Sequence, residues 1–341
     1  MTIIDRNKAD AVFARLLDAY LRKEYPYDQA DAIPPQVREN LPETLEWGSR
    51  EHALFLFAVC YWMRGGIESH TAIRQLTRLY DLERDIFSPL GGSISEATDL
   101  AQKFRSVGLG FNAEEIGRMW KKNLAKIAHF YGGDPRIIFS GIKTYEEACE
   151  RIQNKKGRGF LGFQEKMVSM LIYFYMDAGI IDRWNFPIPV DFHVLRTVFA
   201  HEIVVADPSE FNGNGFFTKP ILAAVRNLFQ SYCIKNDVDP LVLCNAVWLH
   251  SGLMCNQHPG NQSVVGGRHG RKTELWPVAR WSLAQTRTYE RTCAVCVVRN
   301  TCRWCVPSAE YYIRGRLILR EERGEPLQQS LFPILVQRAA R

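Results

Sequence analysis

The apolar positions of this chain fall at helical spacing along most of its length. Ala11–Tyr20 carries one amphipathic period, and Ala32–Glu46, with Pro34, Pro35 and Pro42, interrupts it as a linker. His52–Met63 is apolar on every side, which predicts a helix sunk in the middle of a bundle. It stops at Arg64-Gly65-Gly66, and Ser69 is placed to cap a helix over Ala72–Tyr80. Between Ile94 and Gly133 the spacing predicts two helices joined by Gly108-Leu109-Gly110-Phe111-Asn112. The second, Ala113–Tyr131, sets Ile116, Met119, Trp120, Leu124 and Ile127 on one side. Tyr145–Ile152, Gln164–Ala178, His193–Ile203, Ile221–Tyr232 and Leu241–Leu249 complete the helical set. No segment alternates convincingly at period two, so almost no sheet is expected and the predicted fold class is all-α.

The most informative stretch runs from Gly157 to Arg196. Gly157, Gly159 and Gly162 punctuate a turn that feeds the helix starting near Gln164. Successive backbone N–H groups in such a turn point the same way and carry the helix's positive end, so they can seat a phosphate without side chains. Arg151, Lys155, Lys156, Arg158 and Lys166 surround it against the single acid Glu165. Further on, Asp191 follows Pro189 and precedes a helical run. Its carboxylate either caps that helix or points into the space between the two helix starts, where Lys166 would also point.

Composition adds three constraints. The chain has 341 residues, long enough for two modest domains, and 43 Lys plus Arg against 37 Asp plus Glu leave a charge of +6. So mild an excess points to a polyanionic partner only where it is clustered, as in Gly266–Arg291, which interleaves basic residues with Trp276 and Trp281. The N-terminal stretch lacks the form of a secretory signal and no apolar run approaches the roughly 18 residues of a membrane span, so a soluble cytoplasmic monomer without a membrane partner is expected. Nine cysteines in such a chain argue against a disulfide framework. Cys60, Cys149, Cys233 and Cys244 lie in apolar helical contexts and read as buried thiols, whereas Cys255, Cys293, Cys296, Cys302 and Cys305 crowd toward one end and point to a metal or cluster.

Leu161-Gly162-Phe163-Gln164-Glu165-Lys166 resembles the helix-hairpin-helix of the endonuclease III superfamily of DNA glycosylases, and Pro189-Val190-Asp191-Phe192-His193-Val194-Leu195-Arg196 resembles that family's catalytic-aspartate segment. Gln164 stands where the family usually has a second glycine, and the interval from Lys166 to Asp191 is longer than usual. The buried helix His52–Met63 with the turn after it is similar to the opening of the same domain, where the turn residue, here Arg64, would wedge into the gap left by an extruded base. Trp248–Cys255 resembles what precedes the family's first cluster cysteine, and Cys293-x2-Cys296-x5-Cys302 matches the end of its cluster loop. A [4Fe-4S] cluster on Cys255, Cys293, Cys296 and Cys302 is therefore implied, with positions 256–292 as a large basic insertion. Zinc on Cys293, Cys296, Cys302 and Cys305 is the alternative.

The resemblance implies a two-domain helical protein: residues 1–49 packing with a cluster domain, a six-helix barrel over 50–190 with its hairpin at about 157–168, the cluster domain over 191–310, and a tail over 311–341. It implies a nucleoid-associated bacterial enzyme that turns a damaged or modified base out of double-stranded DNA and excises it. Lys166 would serve as nucleophile and Asp191 as electrostatic partner, with Arg158, Gly159, Gly162 and Gln164 on the phosphates. Lyase activity would follow from the lysine Schiff base. Three alternatives stay open: a monofunctional glycosylase using water, an N-glycosidase of nucleotides or RNA, and a non-catalytic DNA-binding protein. In the tail, Gln328, Leu331 and Phe332 resemble the short peptide by which bacterial repair proteins dock on the sliding clamp.

Overall fold

A computed structural model describes residues 3–63, 67, 69–154, 156–205, 219–255 and 291–302, together with short strands at 266–267, 270–271, 275–277, 311–313, 321–322 and 325–326. The chain is mostly helical. It divides into two compact units: residues 34–189, continuous in sequence, and residues 1–33 joined by 190–341. No helix among the described residues is long and apolar enough to cross a membrane.

The first element of the discontinuous unit is strand β1 (Ile3–Ile4), followed by helix α1 (Arg6–Leu21), which Asp5 caps by accepting from the Lys8 N–H at 3.0 Å. The helix begins well ahead of the expected Ala11. A side-chain cap can start a helix among polar residues that show no apolar period.

The continuous unit is organised around helix α2 (Arg50–Trp62), whose residues from His52 to Trp62 are all buried. Ser49 caps it, its Oγ accepting from the His52 N–H at 3.0 Å. Helix α3 (Ser69–Leu82) covers α2 with Ala72, Ile73, Leu76, Leu79 and Tyr80. Ser69 is itself the first helical residue, so the expectation that it caps is corrected. Helix α4 (Pro89–Ile94) was not expected, because Pro-Leu-Gly-Gly-Ser-Ile carries no apolar period. It forms because Ser88 caps it and because its glycines allow close approach: a Cβ on Gly92 would stand 2.2 Å from Leu124 and 2.4 Å from the Ile86 carbonyl. Helix α5 (Ala97–Ser106) and helix α6 (Ala113–Tyr131) follow, then α7 (Tyr145–Gln153), opened by a Thr144/Glu147 capping box, and α8 (Glu165–Asp177). Rings fill the centre: Trp120 of α6 lies 5.7 Å from Tyr61, 5.3 Å from Phe87 and 5.2 Å from Phe104, and its indole donates to the Ile86 carbonyl at 2.8 Å.

His52 is one of the polar side chains buried in that unit. Its Nδ1 accepts the Gly48 N–H at 3.0 Å, which places its own proton on Nε2, and Nε2 has no partner among the described residues. Burial, reinforced by the Arg38 charge, pushes its pKa down to about 4. The unfolded chain therefore binds this proton first as pH falls, so the stability tied to a neutral His52 is complete above about pH 6.5 and is lost toward pH 4, amounting to about 2–3 kcal/mol. Thermal melts of the wild type and of His52→Gln at neutral and acid pH test this. The acid-induced drop in Tm should narrow in the variant, and an equal drop in both would refute the assignment.

The discontinuous unit resumes with α9 (Phe192–Ala200), strand β2 (Val204–Val205), α10 (Lys219–Asn236) and α11 (Pro240–His250), which runs into a π-helical turn over Ser251–Cys255. Strand β2 pairs antiparallel with β1, and Phe13 of α1 lies 4.4 Å from Phe229 of α10, so segments from either side of residues 34–189 build one core. Three further antiparallel pairs follow: β3 (Gly266–Gly267) with β4 (Gly270–Arg271), β5 (Leu275–Pro277) with β6 (Tyr311–Ile313), and β7 (Glu321–Glu322) with β8 (Glu325–Pro326). Ladders of two or three residues are too short to leave an alternating pattern in sequence.

Candidate functional site

The glycine-punctuated turn between α7 and α8 is held from inside by its own backbone and by α6. The Gly157 and Gly159 N–H groups donate to the Asn154 carbonyl at 3.1 and 2.8 Å, and the Phe160 N–H donates to the Ile152 carbonyl at 2.7 Å. Gly159 is glycine for lack of room: an added Cβ would stand 2.4 Å from the Asn154 nitrogen. Gly162 is glycine for conformation, with φ at +83°. From α6, Asn123 donates to the Leu161 carbonyl and accepts the Leu161 N–H, each at 2.9 Å. Lys126, its pKa lowered by burial, donates to the Gly157 carbonyl at 3.2 Å and also to the Gly159 carbonyl.

The turn's inward-facing amides are thus committed, and Gly159 offers none to a ligand. The N–H groups of Arg158, Gly162, Phe163 and Gln164 have no acceptor among the described residues. Gln164 is the N-cap of α8 and makes no side-chain capping bond. Lys156 and Arg158 are exposed beside these amides, whereas Arg151 is turned to the carbonyls of Ile138 and Ser140 at 2.9 and 2.7 Å. N–H groups without an acceptor among the described residues thus stand at a helix start, with two exposed cations a few residues before it, a combination that suits an anion.

Lys166 stands in the first turn of α8, half-buried, and its ammonium donates to the Met63 carbonyl at 2.8 Å, where α2 ends. Asp191 is the N-cap of α9: one carboxylate oxygen, Oδ1, accepts the His193 and Val194 N–H groups at 2.8 and 3.1 Å. Of the two roles open to Asp191 in sequence, capping is the observed one. It occupies Oδ1 alone, and Oδ2 has no hydrogen-bond partner among the described residues.

Helix α9 is tied to the cysteine-bearing end of its unit. His193 Nδ1 lies 3.1 Å from Ser251 Oγ, and Arg196, only 1% exposed, donates to the same oxygen at 3.1 Å. Ser251 opens the turn that ends in Cys255. Residues 293–302 wind through three-residue turns, with the Cys296 N–H on the Cys293 carbonyl at 3.2 Å and the Cys302 N–H on the Arg299 carbonyl at 3.1 Å. Two histidines dock this segment: His250 Nε2 is 3.2 Å from Cys296 Sγ, and His201 Nδ1 is 2.9 Å from Thr301 Oγ1. Burial drives both imidazoles neutral, to about 3 for His250 and about 4 for His201. Cys255, Cys293, Cys296 and Cys302 are half-buried; among the described residues no three His, Cys, Asp or Glu side chains gather as a metal-holding group. Cys60, Cys233 and Cys244 are buried as expected, while Cys149 is half-buried.

Arg64, Lys155, Trp281, Cys305, Gln328, Leu331, Phe332 and most of the 256–292 insertion lie outside the described residues. Residues that sequence reasoning missed are Asn123, Lys126, His193, Arg196 and His250. The available signal for Asn123 was a polar residue set in the apolar stripe of α6. No family model matches this chain, and no curated protein matches it in sequence.

Proposed function

We propose that this chain is a DNA glycosylase of the helix-hairpin-helix kind, with the α7–turn–α8 segment as the hairpin. What carries the reading is the run of N–H groups at Gly162, Phe163 and Gln164 that have no acceptor among the described residues, at the start of α8 and close in sequence to the exposed Lys156 and Arg158. Such a seat binds a DNA phosphate through backbone amides and so fixes the register of the duplex without reading its sequence. Chemistry then needs a nucleotide turned out of the stack, because the glycosidic bond is inaccessible within the duplex.

Asp191 supplies a carboxylate whose Oδ2 stabilises positive charge developing on the sugar as the bond to the base breaks. Lys166, on releasing its bond to the Met63 carbonyl and losing a proton, attacks C1′. The C1′–N bond breaks, and the base leaves with the bonding pair and takes a proton. Ring opening gives a Schiff base between Lys166 and C1′, and loss of the C2′ proton then expels the 3′ phosphate by β-elimination. Cys255, Cys293, Cys296 and Cys302 are the thiols that would hold a [4Fe-4S] cluster with a structural role; they do not gather as a metal-holding group among the described residues, so a cluster there would have to draw them together, and zinc on Cys293, Cys296, Cys302 and Cys305 is the other choice.

A second reading is favoured by one observation: Lys166 already has a good acceptor in the Met63 carbonyl. In a monofunctional enzyme Lys166 stays there and Asp191 activates water instead. Borohydride trapping on a duplex with an abasic site separates the two. The expected result is a covalent adduct that is lost in Lys166→Ala. Base release from duplexes carrying oxidised, deaminated or modified bases without any adduct would select the monofunctional reading, and neither adduct nor release across that panel would overturn the glycosylase assignment.

A further inference from the structure

We infer that Asn123 is a positioning residue for phosphate binding: by gripping both sides of Leu161 it aims the Gly162 N–H outward. The inference rests on the phosphate-seat reading given under Proposed function. Asn123 is wholly buried on the apolar face of α6, where an amide is costly unless bonded. Its Nδ2 donates to Tyr61 Oη at 2.6 Å and to the Leu161 carbonyl at 2.9 Å, while its Oδ1 accepts the Leu161 N–H at 2.9 Å.

The consequence follows from peptide geometry. In a trans peptide the carbonyl of one residue and the N–H of the next point in opposite directions. Pulling the Leu161 carbonyl toward α6 therefore turns the Gly162 N–H away from it, and the left-handed backbone at Gly162, φ +83°, carries the chain on to the amides of Phe163 and Gln164. Lys126 acts likewise one turn along α6: its hold on the Gly157 carbonyl turns the Arg158 N–H outward. A leucine at position 123 would fill the stripe equally well, but it would leave the Leu161 peptide free to rotate.

The test is fluorescence anisotropy of a labelled duplex bearing a tetrahydrofuran abasic analogue, measured across a salt series with full-length protein. Because the amide contact is uncharged, Asn123→Ala is expected to weaken binding about tenfold at every salt concentration while keeping the slope of log affinity against log salt. Arg158→Gln should instead flatten that slope by about one. Leu79→Ala, a buried truncation on α3, controls for general loosening and should retain both affinity and slope. Should Asn123→Ala fail to fold, Tyr61→Phe removes only the hydroxyl that accepts from Asn123, and about threefold weaker binding is expected. Unchanged affinity in whichever of these two variants folds, or an equal loss in Leu79→Ala, overturns the inference while leaving the phosphate seat standing. No salt-dependent binding by the wild type would remove the seat itself.

Discussion

Asp191→Asn is expected to cut base release roughly 100- to 1000-fold while leaving the stability of the protein nearly unchanged. The two effects separate because Asp191 uses its two oxygens differently. Oδ1 caps α9 through the His193 and Val194 N–H groups, and an asparagine carbonyl oxygen can accept the same two bonds. Asparagine and aspartate are close to equal as N-caps, so the helix start survives. What disappears is the negative charge on Oδ2, which on the proposed mechanism faces the developing cation. Asp191→Ala makes the contrast: it loses the charge and the cap together and should cost about 1 kcal/mol of stability in addition. Single-turnover base release beside thermal melts reads both quantities. An Asp191→Asn protein as active as the wild type would reduce the residue to its capping role.

The second large effect is expected at Trp120, which is 1% exposed and meets Tyr61, Phe87 and Phe104. Trp120→Ala should cost about 3–5 kcal/mol, since the indole volume is removed from a site walled by large rings that cannot all collapse inward. The Ile86 carbonyl, which accepts from the indole N–H, is left without that bond as well. Trp120→Phe keeps most of the ring packing and loses chiefly the hydrogen bond, for which about 1–2 kcal/mol is expected. Urea unfolding of both variants gives the comparison. A loss below about 2 kcal/mol in Trp120→Ala would mean that α6 does not anchor this core.

What could be read from the residues depended on how local its cause was. The buried helix α2 announced itself by an apolar run with no polar face, and α6 by a stripe at regular helical intervals. The start of α8 at Glu165 could be seen because a glycine turn and a cap position sit next to it. Helix α4 could not, since what stabilises it is room for Gly92 against Leu124 and Ile86, a fact about neighbours distant in sequence. The same holds at the candidate site. The turn, Lys166 and Asp191 were legible as residue types in a row, but the acceptor for Lys166 is at the C-cap of α2, and the clamp on Leu161 comes from α6. Likewise, nothing near Cys296 in sequence indicates that His250 sits against its sulfur.

The division of the chain also sets an order of assembly. Residues 34–189 form a unit continuous in sequence and can close as soon as they have left the ribosome, because α3 and α8, which pack on α2, are by then made. Helix α1 has no such option: Phe13 packs on Phe229 and Tyr232 of α10, and α1 lies against α11, so its partners are synthesised long after it. During that interval Val12, Phe13, Leu16 and Leu17 have no native surface to cover them. During synthesis the 34–189 unit is therefore expected to close while the apolar face of α1 still waits for α10 and α11, and that face is where chaperone binding would be looked for.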